Sequence, residues 1–251
     1  MPGSRVGSYL DSTPARGPQY DKHMRLLTAI LSLSIAVPLA TADDTRKVDD
    51  RLNDAAELFS EIMSAPDRSI PQGLLDKAPC VVIVPGLKKG AFLVGGKYGK
   101  GFAVCRGASG QGWGPPAAIR IEGGSFGLQV GFASTDVVLL IMNEGGMRRL
   151  TKSKFTIGGE ATAAAGPVGR DTTAQTDAMM TAEILSWSRS KGIFAGVSLD
   201  GATLRNDLDE NRAMYGKAWT SRQILNSGAK PPAAAGKLLS TLNKYSMRKA
   251  G

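Results

Sequence analysis

The sequence contains one histidine and two cysteines, and these scarcities exclude whole classes of chemistry. The single histidine, His23, precedes an apolar segment typical of a secretion signal, so the exported protein is expected to contain no histidine. A Ser-His-Asp triad needs a histidine base, so the G-x-S-x-G match at 123–127 cannot act as a nucleophile elbow. Histidine and cysteine are also the usual ligands of zinc. We therefore expect no metal, no cofactor and no enzymatic activity.

The two cysteines, Cys80 and Cys105, both fall in segments predicted to be strands. In an exported protein such a pair can form a disulfide. Two small, separately buried side chains would explain the same residues equally well. The sequence leaves both interpretations open.

The net charge is +9, and residues 43–251 retain +7 because four basic and two acidic residues precede them. This excess favours acidic partners such as anionic lipid, nucleic acid or another polyanion. Nucleic-acid recognition would need a basic helix or an aromatic stacking platform, whereas the basic residues here are spread along the chain. We therefore expect no nucleic-acid partner.

An apolar run at 26–37 follows Met24 and Arg25, and it is followed by Pro38 and the small residues 40–42. This pattern predicts a signal peptide at 24–42, cleavage before Asp43, and a periplasmic or secreted protein that can associate peripherally with membranes. A membrane anchor is the alternative, although the run is short for a bilayer span. Residues 1–23 are polar, and we expect them to be a gene-model extension or disordered.

Apolar residues recur at helical spacing over 45–64, and a short helix is expected at 72–78. The polar face of the first helix is acidic, which favours core packing over binding to an anionic membrane. Glycine-rich turns, predicted at 85–86, 99–101, 107–114 and 123–124, then separate segments with strand periodicity. The predicted strands are 80–84, 91–97, 101–106, 117–121, 126–132 and 137–142.

The remaining chain predicts a helix at 144–154, strands within 155–165 and 183–197, and helices at 207–215 and 220–226. The second strand region is expected to form a hairpin at Lys191-Gly192. Residues 229–251 are predicted to be a linker and a basic tail, with a helix at 237–246. The predicted fold is a single α+β domain over 43–228, with a curved, largely antiparallel sheet or barrel-like meander and flanking helices.

Seven motifs in a fixed order identify a family resemblance. They are 78–85 (APCVVIVP), 88–101 (KKGAFLVGGKYGKG), 113–116 (WGPP), 124–131 (GSFGLQVG), 134–138 (STDVV), 166–170 (GPVGR) and 188–201 (SRSKGIFAGVSLDG). The region 46–227 resembles the SYLF domain, also called the Ysc84-like or DUF500 family. The leader suggests a stand-alone, exported bacterial member. The resemblance implies a non-enzymatic module that binds phosphoinositides and other anionic lipids, and some eukaryotic members also bind actin.

Basic residues beside glycine-rich turns are the predicted contacts for lipid head groups, because such turns expose backbone N–H groups and Arg or Lys adds charge. The candidates are Lys88, Lys89, Lys97, Lys100, Arg170, Arg189 and Lys191. Solvated residues at ordinary tight turns are the alternative interpretation. The corresponding functional hypotheses are a lipid-binding module of the cell envelope, or an envelope protein with a protein-interaction or structural role.

Overall fold

The structure is a computed structural model. It describes residues 37–65, 69–92, 94–107, 110, 112–126, 131–167, 181–190, 193–196 and 199–246. Residues Ala42–Gly251 form one compact unit. Two predicted site residues, Arg170 and Lys191, and most of the predicted signal peptide lie outside the described residues.

Among the described residues, nine strands form one sheet. The strands are β1 (Cys80–Phe92), β2 (Val94–Cys105), β3 (Ala117–Phe126), β4 (Gly131–Ile141), β5 (Lys154–Thr156), β6 (Ala163–Ala165), β7 (Ile184–Ser190), β8 (Ile193–Gly196) and β9 (Thr203–Asn206). Their order is β5-β9-β3-β2-β1-β4-β7-β6, with β8 also paired to β7. Every pairing is antiparallel except that of β6 with β7.

The helices lie at both ends of the unit and in two short connections. Among the described residues the helices are α1 (Val37–Ser64), α2 (Gln72–Lys77), α3 (Glu144–Leu150), α4 (Leu208–Tyr215), α5 (Ser221–Asn226) and α6 (Gly236–Ser246), with a 3₁₀ turn at Ala233–Ala235. Side-chain N-caps fix two of the predicted helix starts. Asp207 accepts a hydrogen bond from the Glu210 amide, and Thr220 forms a reciprocal capping box with Gln223.

The sheet buries both of its faces, which explains why its central strands are apolar without interruption. In β1, Val81 and Ile83 join a core with α1, α2 and α6, whereas Val82 and Val84 join a second core on the opposite face. That second core also includes Phe155 of β5 and Ile184 of β7, although these strands lie far apart in the strand order. The sheet must therefore curl. The curved, largely antiparallel α+β fold is as predicted.

The predicted hairpin at Lys191-Gly192 is supported by its flanks, since β7 and β8 pair antiparallel across it. Strand β9 was not predicted. The helix predicted at 237–246 is present as α6, but it is more than a tail, because Leu238 and Leu242 are fully buried in the core with α1. The helix α6 therefore belongs to the folded unit.

Three of the predicted glycine turns lie within strands instead. Pro85-Gly86 is a bulge in β1, where the register to both neighbouring strands shifts and Gly86 adopts φ 63°. The glycines at 99–101 and at 123–124 lie inside β2 and β3. A side chain at Gly101 would place its Cβ 2.1 Å from the Ile83 carbonyl oxygen, so the bulge requires glycine opposite it.

The Gly166-Pro167 segment has a packing role in the structure. A Cβ at Gly166 would lie 2.1 Å from the ring of Trp187, which is fully buried. The Trp187 indole donates its hydrogen bond to the Pro167 carbonyl at 2.9 Å. Glycine is therefore required there because the chain passes directly against the indole.

The cysteines stand opposite each other at the first position of β1 and the last of β2. Their sulfurs are bonded in the structure, and the linkage joins residues 25 apart in the chain. Cys80 is fully buried and Cys105 is 5% exposed. The pair thus fills the second core and connects the two central strands.

Candidate functional site

The predicted head-group residues lie in different surroundings. Arg170 and Lys191 are outside the described residues. Lys100 and Arg189 are held by carboxylates of the fold. Lys88, Lys89 and Lys97 are brought together at the end of the β1–β2 hairpin. We refer to these three residues as the lysine cluster.

The lysine cluster is built by the register of the hairpin. Lys89 of β1 stands opposite Lys97 of β2, and Lys88 stands opposite Tyr98. Residues directly opposite share a face of the sheet, and successive residues alternate between faces. The hairpin end therefore presents Lys89 and Lys97 on one face, and Lys88 with the Tyr98 ring on the other.

A cavity of about 570 Å³ opens at this end, and its lining is mostly apolar. The described lining residues are Lys88, Lys89, Gly90, Gly96, Lys97, Tyr98, Ala133 and Ser134. None of these described residues is acidic. Gly90 and Gly96 contribute no side chains to this lining, and the Tyr98 ring, which is 46% exposed, lies on the face that carries Lys88. The site therefore combines amines with apolar surface, a combination that suits an amphipathic anion.

Electrostatics within the cluster favour an incoming negative charge. Partial burial, followed by the repulsion of Lys97, holds the pKa of Lys89 below its ordinary value. Like charges directly opposite each other destabilise a strand pair. An anion bound between the two amines would relieve this repulsion and raise the pKa of Lys89.

Lys100, a predicted head-group contact, forms ion pairs with two carboxylates of the fold. Its Nζ lies 2.9 Å from Asp207 Oδ2 and 3.0 Å from Glu210 Oε1, and Arg51 of α1 contacts the same Glu210 oxygen. The Asp207 side chain is 1% exposed and that of Glu210 is 9% exposed. Burial lowers the pKa of Lys100, but its hydrogen bonds and attraction to the two carboxylates raise that pKa above its ordinary value. The charge of Lys100 is therefore neutralised by carboxylates within the protein.

Arg189 is similarly engaged. Its Nε and Nη2 donate to Asp136 Oδ2 at 2.9 and 2.7 Å, and its Nη1 contacts Glu61 of α1. Desolvation lowers the pKa of Arg189, but hydrogen bonds and attraction from Glu61 and Asp136 raise it above the ordinary value. A groove of about 350 Å³ surrounds this network, and acidic side chains of α1 line it. An anion is therefore poorly accommodated at Arg189.

The premise that glycine turns free backbone N–H groups for the ligand is wrong for three of the candidate lysines, Lys88, Lys89 and Lys97. Lys88 and Lys89 pair with β2 on one side and β4 on the other. Lys97 and Lys100 pair with β3, and Lys97 also pairs with β1. The backbone groups of Lys88, Lys89 and Lys97 belong to the sheet ladder, so their side-chain amines must supply the contacts to an anion.

Sequence reasoning missed Tyr98 and Ser134. The signal for Tyr98 was present, since positions 88 and 98, like 89 and 97, are symmetric about Leu93 and would face each other in a hairpin. No comparable local signal exists for Ser134, because its contact with Lys88 depends on pairing between β1 and β4.

Helix α1 has the acidic polar face expected from its sequence. Its apolar side is buried in the core, while Asp50, Asp54, Glu57 and Glu61 are exposed. In the part of the chain that the structure describes, no helix is long and apolar enough to cross a membrane.

The fold and its lysine cluster define a curled-sheet protein with a basic and partly apolar surface site. Residues 122–245 match the model of the family Ysc84, described as "Las17-binding protein actin regulator". The chain belongs to this Ysc84 (SYLF) family, which confirms the resemblance based on the seven motifs.

Several named relatives align with most of the chain. Protein YSC84 of Saccharomyces cerevisiae is 36% identical over 179 residues, covering 70% of this chain and 38% of that protein. LAS seventeen-binding protein 3 of the same species is 31% identical over 220 residues, covering 84% and 46%. SH3 domain-containing YSC84-like protein 1 of Homo sapiens is 33% identical over 190 residues, covering 74% and 55%. The chain thus spans about half or less of each relative.

Proposed function

We propose that this protein is a binding module for anionic lipid surfaces and that the lysine cluster is its contact. The observation that carries the proposal is the mostly apolar cavity bordered by Lys88, Lys89 and Lys97. A small polar anion would need hydrogen-bond donors on all sides, whereas a lipid offers both a charged head and apolar surface. The net charge of +7 over residues 43–251 adds a long-range attraction to such surfaces.

The strength of this contact can be bounded from the charges. Each basic residue near an anionic membrane contributes about 1 kcal/mol, so three give about 3 kcal/mol. That corresponds to roughly a hundredfold increase in affinity. Such an attraction is weak alone, and contact of the Tyr98 ring and the cavity with the lipid interface would strengthen it.

Vesicle flotation tests the proposal. Wild type should float with phosphatidylcholine vesicles that contain phosphatidylglycerol and should not float with phosphatidylcholine alone. Binding should weaken as salt rises from about 0.1 M to about 1 M, because the Debye length falls from about 10 Å to about 3 Å. The variant Lys88→Ala/Lys89→Ala/Lys97→Ala should lose flotation while keeping its thermal melt.

A matched control removes the same charge elsewhere. Lys217, Arg222 and Lys230 are all exposed, and the variant Lys217→Ala/Arg222→Ala/Lys230→Ala should retain most of its flotation. Equal losses in the two triple variants would reduce the effect to net charge. Unchanged flotation in the Lys88/Lys89/Lys97 variant would refute the site.

A second candidate is binding of a protein partner, and the descriptions of the family and its relatives favour it. On this hypothesis the chain would cosediment with purified actin filaments, or be captured by a purified Las17-type protein, without lipid. The Lys88/Lys89/Lys97 variant would behave as wild type in that experiment if the two functions use different surfaces.

We also propose a periplasmic or secreted location and a binding rather than catalytic role, both following from the expected leader at 24–42 and the lack of a histidine after it. N-terminal peptide mapping of protein from the host should find Asp43 as the first residue. Recovery of peptides from 24–42 in the isolated protein would contradict cleavage.

A further inference from the structure

Beyond Lys100, which Asp207 and Glu210 neutralise, three more basic residues form a row across adjacent strands. Arg120 of β3 stands opposite Arg205 of β9, and Arg205 stands opposite Lys154 of β5. Directly opposite residues share a face, so these side chains lie side by side. We call Arg120, Arg205 and Lys154 the basic row. Adjacent like charges of this kind oppose strand pairing unless an anion offsets them.

The fold offsets only part of this charge. Glu122 contacts Arg120 Nε at 2.6 Å and Arg205 Nη1 at 2.9 Å. Among the described ion pairs, Glu122 is the one carboxylate that contacts the basic row. The Arg120 side chain is 29% exposed and that of Arg205 38%, and Lys154 is exposed. The row thus presents three cations for one carboxylate.

Helix α1 carries the complementary pattern. Asp50, Asp54 and Glu57 are spaced by four and three residues, which places them along one side of the helix. All three are exposed. Lys237 Nζ lies 2.6 Å from Glu57 Oε1. Among the described ion pairs, Lys237 is the one cation that contacts these three carboxylates. We call these three residues the acidic stripe, and it presents three carboxylates for one cation.

The two patterns also match in length. Three adjacent strands spaced by about 4.8 Å put the ends of the basic row about 10 Å apart. Seven residues of α-helix, at about 1.5 Å each, put the ends of the acidic stripe about 10 Å apart as well. We propose that the acidic stripe of one copy docks on the basic row of a second copy, so that the chain self-associates through these surfaces.

The salt dependence of this contact should have two regimes. Residues 43–251 carry +7, so two copies repel each other at long range. Near physiological ionic strength the Debye length is about 8 Å, which screens that repulsion while adjacent charges still attract. Association should therefore be strongest at intermediate salt and should fall at about 1 M.

Sedimentation velocity on the full chain tests the proposal, with variants that reverse each surface. Asp50→Lys/Asp54→Lys and Lys154→Glu/Arg205→Glu should each weaken self-association by at least about tenfold, equivalent to about 1.4 kcal/mol. An equimolar mixture of the two variants should associate again, because the reversed surfaces are complementary. Glu144→Lys and Arg222→Glu, at other exposed positions, should associate like wild type.

Lys154→Glu alone provides a second sheet variant, should Arg205→Glu disturb the pairing of β9. It changes one exposed residue and should still weaken association measurably. A wild-type chain that stays monomeric at every concentration and salt would overturn the proposal. So would failure of the mixed variants to associate when both remain folded, and binding of the basic row to anionic vesicles in place of a second copy.

Discussion

The two ends of the β1–β2 ladder share one hairpin but differ in almost every physical respect. At one end, Cys80–Ile83 pairs with Phe102–Cys105, and both faces are buried between two cores. At the other end, Lys88 and Lys89 pair with Tyr98 and Lys97 around an open cavity. The bulge at Pro85-Gly86 separates them.

This difference shows that a basic residue takes its role from its position along the ladder. Lys100 lies on the core side of Tyr98, where two carboxylates of the β9–α4 region neutralise it. Lys97, three residues earlier, is opposed by another lysine. Substitutions at the packed end should therefore change stability, whereas those at the open end should change binding.

The largest effect is expected for Lys100→Ala. Removing this amine leaves the buried carboxylate of Asp207 without its ion pair, which should cost about 4 kcal/mol of unfolding free energy. Urea denaturation measures it. Lys97→Ala is the matched control and should change stability by no more than about 0.5 kcal/mol. Equal effects of the two substitutions would remove the distinction between the ends.

Next in size is the link between Cys80 and Cys105. Closing a 25-residue separation should stabilise the packed end by about 3 kcal/mol. On reduction, the free energy of unfolding should fall by about this amount, which lowers the urea midpoint. The unfolded, unreduced protein should show no free thiol. Two titratable thiols before reduction would mean that the cysteines only fill the core.

Glycine substitutions sharpen the comparison further. Gly101→Ala should cost about 2 kcal/mol, because its Cβ would collide with the Ile83 carbonyl beneath the bulge. Gly124 of β3 lies toward the open end and has no atom within 4 Å of a Cβ, so Gly124→Ala should be neutral to within about 0.5 kcal/mol. Thermal and urea melts compare them. A neutral Gly101→Ala would contradict the close approach.

A smaller effect concerns the pH dependence of vesicle binding. The pKa of Lys89 lies below its ordinary 10.5, so Lys89 loses its charge earlier than a solvated lysine as the pH rises. Binding to anionic vesicles should therefore begin to weaken at a pH below 10.5. Lys89→Arg retains the charge and should abolish the early decline. An identical pH profile in the two proteins would exclude Lys89 from the contact.

Much of the fold could be predicted because its signals are local. The caps Asp207 and Thr220 start helices where the sequence indicates, and β7 and β8 pair antiparallel on either side of 191–192, as a hairpin there requires. The bulge was mistaken for a turn, because proline followed by glycine suits both structures. Only the partner strands decide between them, and those are distant in sequence.

The site was predicted less completely, since the sequence gives the charge of a side chain but not its partners. Arg189 resembled Lys89 as a basic residue near glycine, but Asp136 lies 53 residues away and Glu61 lies 128 away. Lys89 and Lys97, in contrast, are related by a local hairpin. Local pairing could be inferred from the sequence, whereas the long-range ion pairs required the structure.

The central claim, that the lysine cluster and not the paired cations faces anionic lipid, can be measured directly by lysine footprinting. The full chain is acetylated under limiting reagent with and without phosphatidylglycerol-containing vesicles, and modified sites are quantified by mass spectrometry. Lys88, Lys89 and Lys97 should be protected severalfold by the vesicles, while exposed Lys217 and Lys230 should be unchanged and Lys100 should react slowly in both samples. Equal labelling of the lysine cluster with and without vesicles, or protection confined to other lysines, would contradict the account.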